Sequence, residues 1–160
     1  MESIGEDLYL CNLARLHGIP VRVLRDSHYR HRQGASFGGN RANGGLSTSI
    51  RRRYLSERNK TRALMVLAPG PIMWLLLIMH LFALVGEGSV LSLLRRDTTL
   101  LREIYLPAIA TPFRERAALL RHRRQVQASR TVTMHEWYSA VRWRLQKLSL
   151  LRTYGTPEVH

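Results

Sequence analysis

Residues 5–18 read Gly-Glu-Asp-Leu-Tyr-Leu-Cys-Asn-Leu-Ala-Arg-Leu-His-Gly, and residues 21–25 continue as Val-Arg-Val-Leu-Arg towards two histidines. Apolar side chains recur at helical spacing from Leu10 to Leu16, which predicts a short helix with one buried face. Gly18 stands where a helix usually ends, because glycine adopts the left-handed conformation without penalty. The alternating Val-Arg-Val predicts a half-buried strand. The segment therefore predicts a small α/β unit with acids at one end and imidazoles at the other.

The same segment resembles the end of the catalytic domain of family-2 glycosyltransferases, which have the GT-A fold. The likeness is carried by these residues: Glu6, Asp7, Leu10, Cys11, Ala14, Arg15, Gly18, Val21, Asp26 and His31. Farther on, Tyr54-x-x-x-Arg58-Asn59 resembles a helix of rhamnosyltransferase-like members, so the resemblance covers about residues 5–69. It implies an incomplete, Rossmann-like GT-A domain. The nucleotide-binding half and its Asp-x-Asp motif would precede residue 5, so a fragment that is inactive alone is expected.

The resemblance also implies roles for six residues. Asp7 would be the general base and Glu6 its neighbour, while the donor phosphates would be bound by His31, Arg32, Arg58 and Asn59. His31 would also lie near a divalent metal, Mg or Mn. The implied partners are a nucleotide-sugar donor and a glycan or lipid-linked acceptor, in the synthesis of cell-surface polysaccharide.

The chemistry of transfer fits a carboxylate at the start of a helix. A base must take the proton of the acceptor hydroxyl, and the helix dipole keeps a carboxylate such as Asp7 ionised. The alternative is that Glu6 and Asp7 are ordinary first-turn acids, which helices favour in any case. Without the resemblance, that simpler interpretation is the better one.

Charge points to a polyanionic partner. The chain of 160 residues has 25 lysines and arginines against 11 acids, a net charge of +14. Nucleotide phosphates, an anionic membrane and nucleic acid could all supply the counter-charge. Nucleic acid is disfavoured, because no basic region is interleaved with base-stacking aromatics. The single cysteine, Cys11, excludes an internal disulfide and is predicted to be buried among leucines.

The composition divides the chain at residue 46. Residues 1–46 would be the glycosyltransferase piece, ending in a glycine-rich loop at 33–46, and residues 47–160 a mainly helical, membrane-associated extension. Hydroxyl side chains at 47–49 predict the cap of a helix that runs to about Leu67, where Pro69-Gly-Pro71 ends it.

The segment 72–85 is apolar apart from one histidine, and no charged residue occurs from Ala63 to Gly86. Its uninterrupted part is shorter than the ~20 residues that a crossing needs. Basic residues flank both ends, which favours entry and exit on the same face. An in-plane or dipping helix is the first expectation, a soluble core helix the second and a true crossing the third. The expected location is therefore the cytoplasmic face of the cell membrane, peripherally bound.

Further helix boundaries are predicted farther along the chain. Gly86 and Gly88 punctuate the chain, and Thr111-Pro112 should open a basic amphipathic helix over residues 112–128. Thr133-Met-His-Glu136 matches a capping box for the last helix.

Three functions therefore remain open at this point. They are a family-2 glycosyltransferase, a small basic nucleic-acid-binding protein, and a non-catalytic helical protein of the membrane surface.

Overall fold

A computed structural model describes residues 4–22, 25, 47–139 and 158–159. The helices are α1 Glu6–Leu16, α2 Ile50–Leu67, α3 Ile72–Arg95, α4 Leu106–Arg114, α5 Arg116–Ala128 and α6 Met134–Ser139. A π-helical turn, Leu101–Tyr105, leads into α4. Two short strands, β1 Ser47–Thr48 and β2 Glu158–Val159, pair in parallel.

The predicted α/β, Rossmann-like domain at the N-terminus is wrong for the described residues. They are mainly helical, and their only strand pairing is the two-residue contact of β1 with β2. Residues 19–22 form no strand, and Val23 lies outside the described residues. Ile19 and Val21 are exposed, so the alternation that suggested a half-buried strand does not mark a buried face. Two alternating valines are too short a pattern to specify a strand where no sheet edge receives it.

Helix α1 forms where the apolar spacing predicted it. It runs from Glu6 to Leu16, and Gly18 follows with a left-handed φ of 68°, as expected. Its buried face is small, since Leu16 is its only fully buried residue. Cys11 is exposed, so its predicted burial among leucines is wrong.

Helix α2 lies at the centre of the fold and contacts α1, α3, α4, α5 and the π-helical turn. The predicted start and end of this helix are confirmed. The Ser49 hydroxyl accepts a hydrogen bond from the amide of Arg52 at 3.3 Å, and the helix ends at Leu67, just before Pro69. The predicted division of the chain at residue 46 stays a prediction.

The core has two clusters, and α3 contributes to both. The first surrounds Leu77 with buried side chains of α1, α2 and α5 and with Trp137 of α6. The second joins Leu84 and Leu91 of α3 to Ile104 and Tyr105 of the π-helical turn. The inner side of α3 is therefore packed along most of its length.

Two predicted breaks are absent. Helix α3 continues through Gly86 and Gly88 to Arg95. At Gly88 a side chain has no room, because an added Cβ would lie 2.8 Å from atoms of both Leu101 and Tyr105. Gly88 is thus a close-packing position inside a helix and not a break.

The basic helix also starts later than predicted. Pro112 lies inside α4, and α5 begins at Arg116 after a break at Glu115, whose φ and ψ are −88° and 5°. Upstream, Pro107 has no amide hydrogen to donate, and the chain there forms a π-helical turn in which the amide of Leu106 donates to Leu101. The capping box of α6 is confirmed, since Thr133 and Glu136 exchange two hydrogen bonds.

The carboxyl end of α2 is capped by side chains of α5. Arg123 donates through Nη1 to the carbonyl oxygens of Met65 and Ala68, at 3.1 and 2.6 Å, and through Nη2 to that of Gly70 at 3.4 Å. Gln127 donates to two further carbonyls of this turn, each at 3.1 Å. These acceptors have no partner within α2, because a helix leaves its last carbonyls unpaired. Two side chains of α5 thus hold the end of α2 and the loop that leads to α3.

Candidate functional site: the exposed apolar face of helix α3

Helix α3 exposes large apolar side chains on one side, interrupted by the exposed Gly86 and Ser89. These side chains are here called the apolar face: Ile72, Trp74, Leu75, Ile78, Met79, Phe82, Val85, Val90, Leu93 and Leu94. The most exposed of them are Phe82 at 75% and Leu93 at 79% of their full area. Monomeric soluble proteins rarely expose contiguous apolar patches of this size, so the face marks a site of interaction.

The apolar face is wide and carries no charge. At 100° per residue, its members span an arc of about 200° around α3, and the helix is about 36 Å long. Met73, Leu77, Leu84 and Leu91 lie on the opposite side and are buried. The helix is long and apolar enough to cross a membrane by length and composition, with a mean hydropathy of 1.8, and only 28% of the most apolar stretch is buried. The core helix of a soluble protein, by contrast, is mostly buried.

The single acid of α3 lies at the edge of the apolar face, about 20° around the helix from Leu94, and is paired with a cation of α2. Glu87 pairs with Arg53 of α2, and Nε of Arg53 lies 3.6 Å from Oε1 of Glu57, which is fully buried. Burial works against the charge of Arg53, but the two carboxylates outweigh it and raise its pKa. For Tyr105, which lies beside Arg53, burial has the opposite effect and raises the pKa, because its charged form is the anion. The charge of Glu87 is thus matched beneath α3, and the outward side stays neutral.

Cations stand at both ends of α3. At its carboxyl end, Arg95 and Arg96 are exposed, and Arg96 closes the helix in the left-handed conformation. At its amino end, Gly70 borders a cleft that Arg123 and Arg124 of α5 also line. The carboxyl end of α3 is therefore followed by Arg95 and Arg96, as the sequence indicated, while the cations near its amino end are Arg123 and Arg124 and not the arginines of residues 51–62 that the sequence pointed to.

The two acids of the predicted catalytic site lie at the start of α1. Glu6 and Asp7 are both exposed, in the first turn after Gly5. His31 and Arg32 lie outside the described residues, so the structure does not show whether they approach these acids. Asp7 as a general base and Glu6 as its neighbour stay predictions.

Arg58 and Asn59 are buried inside the fold, at 8% and 1% exposure. The amide of Asn59 donates to the backbone carbonyl of Ile4 at 2.5 Å, and Nε of Arg58 donates to Oδ1 of Asn59 at 3.3 Å. The guanidinium of Arg58 also stacks over the ring of Tyr54, 5.3 Å from its centroid. The pair therefore joins the entry of α1 to α2. Their predicted contact with donor phosphates stays a prediction. Their contacts show that they stabilise the packing of α1 on α2.

A metal site cannot be built from the described residues. No three side chains of the metal-binding types histidine, cysteine, aspartate and glutamate lie together among them. His31, the predicted ligand, lies outside them. The expected Mg or Mn therefore rests on the resemblance alone.

Sequence reasoning missed a cleft of about 480 Å³ between α1, α2 and α5, which has both polar and apolar walls. Within it the hydroxyl of Tyr9 lies 2.6 Å from Nε2 of His122, and burial raises the pKa of Tyr9. Arg62 donates to both carboxylate oxygens of Glu115 at 2.6 Å. Glu6 lies on its rim. The two pairs, Tyr9 with His122 and Arg62 with Glu115, join residues that are far apart in sequence and follow no motif, so no sequence signal could have grouped them. Because they pair with one another across three helices, they hold the helices together.

Comparison with known proteins gives no neighbour: no family model, curated protein or solved structure matches the chain.

Proposed function

We propose that this chain is a helical protein of the membrane surface, which docks by laying the apolar face of α3 into the lipid interface. The observation that carries the proposal is the exposure of ten large apolar side chains on one uncharged side of one helix. An interfacial helix buries such a face at the boundary of headgroups and acyl chains, and its strength grows with the apolar area and with basic charge nearby.

Lipid explains this surface better than a protein partner does. A protein interface is usually rimmed and interrupted by polar groups, whereas this face carries no charge and only one exposed polar side chain, Ser89, along α3. Fully burying a side chain such as Phe82 or Leu93 contributes about 1.5–3 kcal/mol, so several together give firm binding. Trp74, near the start of α3, is of the type enriched at membrane interfaces.

The charge of the chain supports an anionic surface. The net charge is +14, and Arg95 and Arg96 follow the apolar face directly. Each basic residue near an anionic leaflet adds about 1 kcal/mol at physiological ionic strength. Since both ends of α3 are basic, both are expected on the same side, and the anionic cytoplasmic leaflet is the expected one. Sugar transfer by this chain stays a prediction that rests on the resemblance, and the α/β domain it implied is not found in the described residues.

Co-sedimentation with vesicles tests the proposal. The wild-type chain should pellet with anionic vesicles at low salt and less at high salt. In the variant Phe82→Gln with Leu93→Gln, the apparent affinity should fall at least tenfold, because two large apolar groups are lost. Ala118→Gln, an exposed change on α5, is the matched control and should bind like the wild type. A wild-type chain that stays in the supernatant with anionic lipid at low salt refutes the proposal, as does full binding by the double variant.

Depth measurements separate an in-plane helix from a crossing one. Leu75, Phe82 and Leu93 lie within about 20° of one another around α3 at 100° per residue. After Cys11→Ser removes the only native thiol, a spin label can be placed at each of them in turn. An in-plane helix gives three similar depths. A crossing helix places Phe82 deepest and the other two, about 27 Å apart along the axis, nearer opposite surfaces.

A further inference from the structure

A second cleft, of about 530 Å³, opens beside the loop between α2 and α3, and we name it the arginine cleft. It is lined by Gly70, Leu120, Arg123, Arg124, Gln127 and Arg130. The spacing of these residues on α5 explains their convergence, because positions i, i+3, i+4 and i+7 share one side of a helix. Arg130 follows just after α5 ends at Ala128. One helix face and the turn beyond it therefore bring three guanidinium groups to one cleft.

The walls of the arginine cleft are held in place. Arg123 and Gln127 donate to carbonyl oxygens of α2 and of Gly70, so their stems cannot swing away without breaking those bonds. An arginine fixed in this way has little further side-chain entropy to lose on binding a ligand. The cleft is thus preorganised on one side by contacts that also stabilise the fold.

The arginine cleft has positive charge without a matching acid. Among the described residues that line it there is no aspartate or glutamate. Burial lowers the pKa of Arg123, and the neighbouring charge of Arg130 lowers it further. Nη1 of Arg130 is enclosed and has no hydrogen-bond partner within the part of the chain that the structure describes. A buried donor without a partner is rare, and three crowded cations make an anion the fitting partner for it.

We propose that the arginine cleft binds a phosphate group, as free phosphate, a soluble phosphomonoester or the headgroup of a phospholipid. Guanidinium forks match phosphate oxygens in two-point hydrogen bonds, which an ammonium group cannot do as well. The cleft is larger than a phosphate ion, so an organic stem can enter with it. Gly70 lies two residues before α3, so a bound phosphate would sit at the amino end of the apolar face. Only the lipid source rests on the proposed function; binding of soluble phosphate does not.

Calorimetry with soluble ligands tests the cleft itself. The full chain, kept in mild non-ionic detergent at constant ionic strength, is titrated with inorganic phosphate and with glycerol 3-phosphate. Arg130→Gln and Arg124→Gln should each weaken binding about tenfold or more, because each removes a charged donor. Arg121→Gln removes an exposed charge of α5 that does not line the cleft, so its affinity should stay within about twofold.

Vesicles then identify the source of the phosphate. If it is a lipid, the wild type should prefer vesicles that contain phosphatidic acid over vesicles of phosphatidylglycerol with equal charge, and Arg130→Gln should lose this preference. If it is a soluble compound, Arg130→Gln should no longer bind free phosphate but should bind vesicles as the wild type does. The double glutamine variant of the apolar face should retain soluble phosphate in either case, so the two proposals fail separately. The arginine cleft is refuted if the wild type binds no phosphate in either form, or if the glutamine variants bind like the wild type.

Discussion

The cap that α5 places on α2 gives the sharpest test of the fold. Arg123→Met keeps most of the apolar stem but removes the donors to Met65, Ala68 and Gly70. Leaving a buried acceptor unpaired costs about 1–3 kcal/mol. One of the three bonds is long, and the cleft beside Arg123 admits water, so we expect a loss of about 2–4 kcal/mol in the free energy of unfolding. That is a large share of the roughly 5–15 kcal/mol by which a domain of this kind is stable.

Urea unfolding followed by circular dichroism measures this loss. At an m value of about 2 kcal/mol/M, the midpoint should fall by about 1–2 M. Arg123→Lys should lie between the variant and the wild type, because one ammonium cannot reach three carbonyls in fork geometry. Arg121→Met, an exposed change on the same helix, is the control and should shift the midpoint little. If Arg123→Met unfolds at the same urea concentration as Arg121→Met, the capping argument fails.

Two further predictions concern local packing and pH. Gly88→Ala should destabilise the fold by about 1–3 kcal/mol, because its Cβ would press on Leu101 and Tyr105, whereas Gly86→Ala on the same helix meets open space and should stabilise it by about 0.5–1 kcal/mol; thermal unfolding checks both, and equal effects would contradict the packing. In the capping box, the hydrogen bond from the backbone amide of Thr133, and then that from its hydroxyl, lower the pKa of Glu136 below its ordinary 4.5. The box should therefore be intact above that value and be lost as the pH falls through the lower, folded-state pKa, which the amide shift of Thr133 in an NMR titration reports; Glu136→Gln should abolish this step, and a step that persists in the variant would belong to another group.

The elements that local chemistry specifies could be predicted from the sequence. Helix α2 begins at a hydroxyl cap and ends before Pro69, and both signals lie within one turn of the boundaries they set. The capping box of α6 is of the same kind. Such signals work because the hydrogen bond or the missing amide acts on neighbours in the chain.

Sequence signals whose meaning depends on distant contacts do not predict the structure in the same way. Gly88 marks a break by composition, yet it continues α3 because Leu101 and Tyr105 come too close for any side chain there. Arg58 and Asn59 match a family pattern, and their contact with donor phosphates stays a prediction; what the pattern did not indicate is that both lie inside the fold, where Asn59 holds the backbone of Ile4. A single sequence carries no information on which partner will cover a residue, so a polar pair in the core and one at a binding site look the same.

The candidate site also depends on contacts that the sequence alone does not reveal. By sequence, residues 72–85 are apolar apart from one histidine, and a stretch of that kind is equally typical of a buried core and of a membrane. The proposed membrane surface is supported by the partners of Glu87 and Gly88, since Arg53 matches the charge of the first and Tyr105 packs on the second. The inner side of α3 is therefore fully used, and the remaining arc exposes one polar side chain, Ser89, among its apolar residues and has no charged group to orient it towards a specific protein surface. An anionic lipid membrane suits such a surface, because its acyl chains can bury the apolar face of α3 and its headgroups can pair with the arginines at the ends of the helix.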